Sequence, residues 1–192
     1  MGKNRLEAFS DGVLAIIITI MVLELKVPHG ATFADLSGIW PIFVCYVLSF
    51  VYIGIYWNNH HHLLHAVGRV TGGVLWANLH LLFWLSLVPF STGWMGENHF
   101  APLPTAIYGA NLMLAGAAYF ILSRVIIASD GCEKSLLGRA LGADAKGQIS
   151  LLLYALSIPL AFVMPWLADV IYGLVAVIWL VPDRRIERVL SE

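Results

Sequence analysis

Charge is scarce in this chain. Lysine, arginine, aspartate and glutamate make up 12% of 192 residues, against 59% hydrophobic residues and a mean hydropathy of +0.80. No ordinary soluble domain has that balance. Cysteine is almost missing: Cys45 falls inside an apolar run and Cys132 in a polar connection where a thiol stays reduced. No nucleophile–base pair and no metal-hydrolase spacing stands out, which leaves enzymatic function without support. Internal repeats and low-complexity segments are missing as well. No cofactor and no nucleic-acid partner is expected.

What remains is apolar helix. Hydropathy separates six stretches, Leu6–Val27, Ile39–Leu64, Gly73–Trp94, Thr105–Ile127, Ile149–Val163 and Leu167–Val181. Most reach the ~20 residues that a helix needs to cross a bilayer core. Read as one helix, residues 149–181 would run about 50 Å, too long for one span. A tight hairpin at Pro165 is therefore expected. The first span runs on into Glu24-Leu-Lys26 without a small-residue cleavage site, so it reads as a retained helix rather than a leader.

Basic residues test the topology independently. Lys3, Arg5, Arg69, Arg124, Lys134, Arg139, Lys146, Arg184, Arg185 and Arg188 fall on one side of a six-span layout, and only Lys26 falls on the other. The positive-inside rule makes that crowded side cytoplasmic. The expectation is one all-α membrane domain, residues 1–192, with six transmembrane helices and both termini in the cytoplasm. The connection from Ala128 to Gln148 mixes both charges and reads as a short surface helix.

Polar residues inside the spans fall at one depth. Asp11 lies about six residues, ~9 Å, in from Arg5. The second span ends Trp57-Asn-Asn59-His60-His61-His-Leu-Leu-His65, and the third carries Asn78 and His80 near its start. Ser10, Asp11, Trp57, Asn59, His60, His61, Asn78 and His80 thus share the cytoplasmic leaflet. A lone buried amide or carboxylate costs several kcal/mol, so these groups should satisfy one another. Three readings compete: a structural network locking the first three spans, a metal site built on His61, His62, His65 and Asp11, and an Asp–His proton relay.

Beyond Asp11 the first helix carries Ile16, Thr19, Ile20 and Leu23 at i, i+3, i+4 and i+7, a single stripe. Such a stripe packs on neighbours in most helices. It can also wall a pore, where bulky aliphatic side chains gate by dewetting. Spacing alone does not choose. Gly109 and Gly116, with Ala106, Ala110 and Ala117, mark a close helix contact, Pro89 a kink, and Glu24 either a solvated residue or an acidic ring at a channel mouth. Trp40, Trp94, Trp166 and Trp179 read as interfacial anchors.

The string Arg5-x-x-x-Phe9-Ser10-Asp11, followed by Gly-Val-Leu-Ala-Ile16-Ile-Ile-Thr19, resembles the first-helix signature of the transmembrane-protein-175 potassium channels. Trp57-x-Asn59-His60-His61, Asn78 and Pro89-Phe90 fit the same pattern. The resemblance implies a homotetramer in which the first helix of each subunit lines a central pore, without the Thr-Val-Gly-Tyr-Gly filter of ordinary potassium channels. It implies that Ile16 forms the constriction, Ile20 and Leu23 further narrow rings, and Thr19 a hydroxyl layer. Arg5, Phe9, Ser10 and Asp11 then brace that helix, with Trp57, Asn59, His60, His61 and Asn78 as partners. The implied function is passive potassium conduction, moderately selective over sodium, in a prokaryotic plasma membrane. The rival is a transporter that exchanges protons or metal through Asp11 and the histidines.

Overall fold

The computed structural model describes residues 2–130 and 144–180. Helix α1 spans Lys3–Met21 and gives way to a single 3-10 turn, Val22–Glu24. The short α2 is Phe33–Ser37, followed by α3, Trp40–His65. Then come α4, Gly72–Ser86, and α5, Val88–Glu97, in tandem. The remaining described helices are α6, Pro102–Asp130, α7, Ala145–Leu160, and α8, Pro165–Leu180. No strand occurs among the described residues. The surface helix expected within 128–148 falls mainly outside the described residues.

Proline sets several of these boundaries. Pro41, Pro89, Pro102 and Pro165 stand at or beside the first residue of α3, α5, α6 and α8. A proline there lacks only a donor that would be unsatisfied anyway, and its fixed φ suits the helix. The expected hairpin at Pro165 is present: α7 ends at Leu160, four residues turn, and α8 packs back against α7.

Two expected spans differ from the helices observed. The first stretch was expected to run to Val27, but helical geometry ends at Glu24. The third was expected to be one helix kinked at Pro89, and it breaks outright at Leu87. Pro89 cannot donate to Leu85, and its ring collides with that carbonyl in a continuous helix. Asn111 of α6 meets the gap. With its amide turned to satisfy both ends, it donates to the Trp84 carbonyl at 3.0 Å and accepts from the Val88 N–H at 3.3 Å. Side-chain rescue of this kind makes a broken helix tolerable in apolar surroundings.

Sequence gave no warning of α2, which rests on a capping box between Thr32 and Asp35. The Thr32 hydroxyl and amide hold the Asp35 carboxyl below its ordinary value. Nearby, Lys26 pairs with Glu97, which raises the lysine's affinity for its proton.

Two apolar cores share α3 and α6. One gathers Leu6, Leu14, Ile17 and Met21 of α1 with Ile53, Leu81, Leu85 and Leu122. The other joins Cys45, Tyr52, Tyr108, Leu112, Tyr154, Tyr172 and Val175. The close approach expected at Gly109 occurs against α8, where an added Cβ would lie 2.1 Å from the Tyr172 hydroxyl oxygen. Helix α1 sits at one edge, packed on α3, α4 and α5.

Contacts place six helix ends together. Lys3 bonds the His65 carbonyl, Val125 lies 3.4 Å from where a Cβ on Gly73 would stand, and Trp179 donates to Ser150 at 2.8 Å. The starts of α1, α4 and α7 therefore share one end of the bundle with the finishes of α3, α6 and α8. Lys3, Arg5, Arg69, Arg124 and Lys146 all belong to that end, and Lys26 to the other. Among the described residues, four helical runs are long and apolar enough to cross a membrane: Lys3–Glu24, Trp40–His65, Gly72–Glu97 and Pro102–Ser129. The two shorter apolar helices, α7 and α8, are each 16 residues.

Candidate functional site: a pinned helix with an open stripe

Helix α1 has two faces that hydropathy alone does not distinguish. Leu6, Ser10, Leu14, Ile17 and Met21 are buried, at steps of three and four residues. On the other side Ile16 is 58% exposed, Ile20 43% and Leu23 75%, with Thr19 and Phe9 also exposed. The whole expected stripe therefore lies on the face of α1 that its own chain leaves open. Thr19 donates its hydroxyl to the Ile16 carbonyl at 2.9 Å, which leaves the oxygen's lone pairs on that face.

The buried face is pinned by hydrogen bonds. Asn78 Nδ2 donates to Ser10 Oγ at 2.9 Å, and Ser10 donates to the Leu6 carbonyl at 2.9 Å. Asn78 Oδ1 lies 2.7 Å from His60 Nε2. Because the Asn78 amide points its nitrogen at Ser10, its oxygen must accept, so His60 carries its proton on Nε2. Ser10 and Asn78 are fully buried and His60 is 1% exposed. Leaving any one of these groups without its partner costs roughly 1–3 kcal/mol.

A second set lies nearer the surface. Trp57 Nε1 donates to Asp11 Oδ1 at 3.0 Å. His61 stacks on Trp57 with ring centroids 6.4 Å apart, and His65 on His61 at 6.1 Å. Arg5 is exposed, on the same open side as Phe9.

Two residues expected at this junction turn elsewhere. Asn59 donates Nδ2 to the Ile55 carbonyl at 2.8 Å, and its own carbonyl accepts from Tyr119. It faces α6, not α1. His80 lies on the exposed side of α4, where it accepts from Trp84 Nε1 at 2.9 Å. Glu24 folds onto α5, its carboxylate 2.8 Å from where a Cβ on Gly93 would stand. Among the described residues no group of three His, Cys, Asp or Glu side chains converges as a metal site would require. The hydrogen bonds from His60 run through Asn78 and Ser10 to the Leu6 carbonyl and so link α3, α4 and α1.

Sequence reasoning missed a second buried network, in the other core. Ser49 bonds Thr92 at 2.6 Å and Tyr108 at 3.0 Å. Tyr154 donates to Tyr52 at 3.1 Å, Tyr52 to the Tyr172 carbonyl at 2.6 Å, and Tyr172 to the Thr105 carbonyl at 3.0 Å. Four tyrosines within apolar spans were the available signal, since a buried phenol seeks a partner.

The chain is similar to known proteins. A family model described as the endosomal/lysosomal potassium channel TMEM175 matches residues 5–89, which include α1, the brace and Pro89. A potassium channel of Chryseobacterium sp. strain P1-3 is 57% identical over 192 residues, all of both chains. One from Streptomyces collinus is 41% identical over 99 residues, covering 50% of this chain and 48% of that protein. In structure, a lysosomal potassium-selective channel TMEM175 homologue from Chamaesiphon minutus superposes with a TM-score of 0.81 at 27% identity, over 94% of this chain and 97% of that one.

Proposed function

The chain belongs to the TMEM175 potassium channel family, and from that premise we propose that it conducts potassium passively through the central pore of a homotetramer lined by α1. The observation that carries this reading is the geometry of α1. Its stripe of Ile16, Thr19, Ile20 and Leu23 is open to an outside partner, while its opposite face is fixed by Ser10, Asn78 and His60.

Four copies of that stripe around an axis form successive aliphatic rings. At Ile16 the ring is the constriction, narrow enough to expel water when closed. The brace keeps the bulk of each α1 at a set distance from the axis, so ring diameter depends on how α1 leans on α3 and α4. An ion there meets no cage of carbonyls to replace its hydration shell, and selectivity over sodium is moderate. Thr19 supplies the hydroxyl oxygens between the Ile16 and Leu23 rings. Flux through such a path needs no coupled protonation of Asp11, whose carboxylate is engaged with Trp57.

In the membrane all six apolar columns cross, with both termini and the gathered basic residues on the cytoplasmic side of a bacterial plasma membrane. Helices α7 and α8 rise only ~24 Å each and cross with local thinning or with help from flanking residues. The lipid bilayer covers the outward apolar side chains, such as Phe83, Leu156 and Leu174. The test is single-channel recording from reconstituted protein under a potassium gradient, with native mass measurement for the tetramer. Discrete openings with a potassium-selective reversal potential are expected, and Ile16→Asn should raise conductance or alter selectivity. Unchanged currents in Ile16→Asn, or flux that is slow and saturable without openings, would sink the pore assignment.

A further inference from the structure

Behind the brace lies a cavity that the pore does not use. It is a cleft open to solvent, with a cavity volume of about 50 Å³, between α3, α6, α7 and α8 at the end of the bundle where the basic residues gather. Six aromatic rings line it, among them Tyr56, Tyr119, Phe120 and Trp179. The space exists partly because position 116 is glycine. A Cβ there would stand 3.3 Å from Leu151 and 3.7 Å from the Tyr56 hydroxyl oxygen.

The polar atoms of this cavity are unequal in kind. Its donors are largely engaged: Trp179 Nε1 with Ser150, the Ser150 hydroxyl with the Lys146 carbonyl, and Asn59 Nδ2 with the Ile55 carbonyl. Acceptors remain. Asn59 keeps its Oδ1, and Asp144 brings a carboxylate of which Oδ1 caps the Gly147 N–H at 3.0 Å. The Tyr56 hydroxyl has no hydrogen-bond partner among the described residues. It opens on the cavity, where an occupant can bond to it.

An acceptor-rich wall, one carboxylate and several ring faces together select a ligand that donates hydrogen bonds and carries positive charge. The Trp179 ring already holds a cation on one face: the Lys146 ammonium stands 4.8 Å from its centroid. We infer that this cavity is a binding site for an organic ammonium borne on an aromatic or short aliphatic body. Its source is either a soluble amine or the ethanolamine headgroup of a membrane lipid.

Position gives the site a consequence. Asn59 lines the cavity and is followed in α3 by His60, which holds Asn78 and through it α1. Tyr119, another lining residue, bonds the Asn59 carbonyl. A bound ammonium therefore bears on the α3 turn that fixes the pore helix, and occupancy shifts channel opening. That coupling rests on the channel reading above; the binding itself does not.

The experiment separates the two. Delipidated, detergent-purified full-length protein is dialysed to equilibrium against radiolabelled 2-phenylethylammonium, with neutral 2-phenylethanol as comparison. Saturable binding of one amine per chain is expected, weakened at least tenfold in Asp144→Asn, weakened in Tyr56→Phe and lost in Gly116→Leu. Ile16→Asn should bind as wild type does. Should Gly116→Leu fail to fold, the Asp144 and Tyr56 variants decide. Retention of phosphatidylethanolamine by wild type, and its displacement by the amine, identifies the lipid source; amine binding without lipid retention identifies the soluble one. Non-saturable uptake, equal affinity for the alcohol, or an unaltered Asp144→Asn overturns the site. In bilayers the amine should change open probability in wild type and not in Asp144→Asn. Binding with unchanged currents overturns the coupling, while absence of any current bears on the channel reading alone.

Discussion

Asn78 of α4 reaches Ser10 of α1 across 2.9 Å, with both side chains fully buried. It is the point where the helix with the open stripe is tied to the rest of the chain. Asn78→Leu removes both amide bonds and leaves Ser10 and His60 facing an aliphatic side chain. Each orphaned group costs roughly 1–3 kcal/mol, so this variant should unfold well before wild type. Ser10→Ala should cost less, because it frees only one amide donor. In a double-mutant cycle read by denaturant unfolding in detergent, the pair should show a coupling of about 0.5–3 kcal/mol. Strict additivity would mean that the contact is incidental.

Much of this junction was legible because depth in a helix follows from residue number. Ser10, His60 and Asn78 were expected together since each lay a similar number of residues inside the same boundary. Direction around the helix is harder. Asn59 and His60 are neighbours with the same depth, yet they point about 100° apart, one toward α6 and one toward α4. His80 fails for the same reason, being two residues from Asn78 and facing the opposite way. The break at Leu87 was half visible: Pro89 announced a kink, but nothing local tied it to Asn111 of another helix. The aromatic cavity was invisible, since Tyr56, Tyr119 and Trp179 look like ordinary bulk until four helices come together.

The Asn111 bridge predicts a specific weakness. Asn111→Leu keeps the branched shape of the side chain and removes its bonds to the Trp84 carbonyl and the Val88 N–H. Loss of stability by roughly 1–3 kcal/mol is expected in thermal unfolding. Adding Pro89→Ala, which lets the helix run through, should restore part of it. If the double variant is no better than Asn111→Leu alone, the amide does not serve the break.

Gly109 makes a second, steric prediction. Alanine there would put a Cβ 2.1 Å from the Tyr172 hydroxyl oxygen and 2.8 Å from its Cζ. Gly109→Ala should therefore destabilise the α6–α8 contact, by about 1–3 kcal/mol if neighbours shift. Tyr172→Phe in the same chain should recover some but not all of that, because the ring carbon remains close. Melting temperatures of the two single variants and the double one decide.

The connection between α1 and α3 carries a pH signature. The Thr32 hydroxyl and amide hold the Asp35 carboxyl below its ordinary 3.8. A lowered folded-state value means that the contribution is complete above the unfolded value and lost as pH falls through the lowered one. Thr32→Val removes the hydroxyl bond and should move the Asp35 titration midpoint upward, read by NMR of the carboxyl carbon. A midpoint that stays put would show that the capping box does not form in solution.

Thr19 gives the sharpest test of which face of α1 meets the ion. Its hydroxyl is held by the Ile16 carbonyl rather than by a neighbouring helix, so Thr19→Val keeps shape and should leave folding and assembly intact. Valine presents a methyl where the threonine oxygen stood, between Ile16 and Leu23 on the open stripe. In a pore lined by this stripe the change lengthens the dry path and removes the hydroxyl layer. Smaller conductance and a reversal potential shifted toward the non-selective value are expected in potassium–sodium gradients. Ala8→Ser, on the same helix but before the stripe, should alter neither. Equal effects from both substitutions would mean that α1 acts through its stability rather than through its surface.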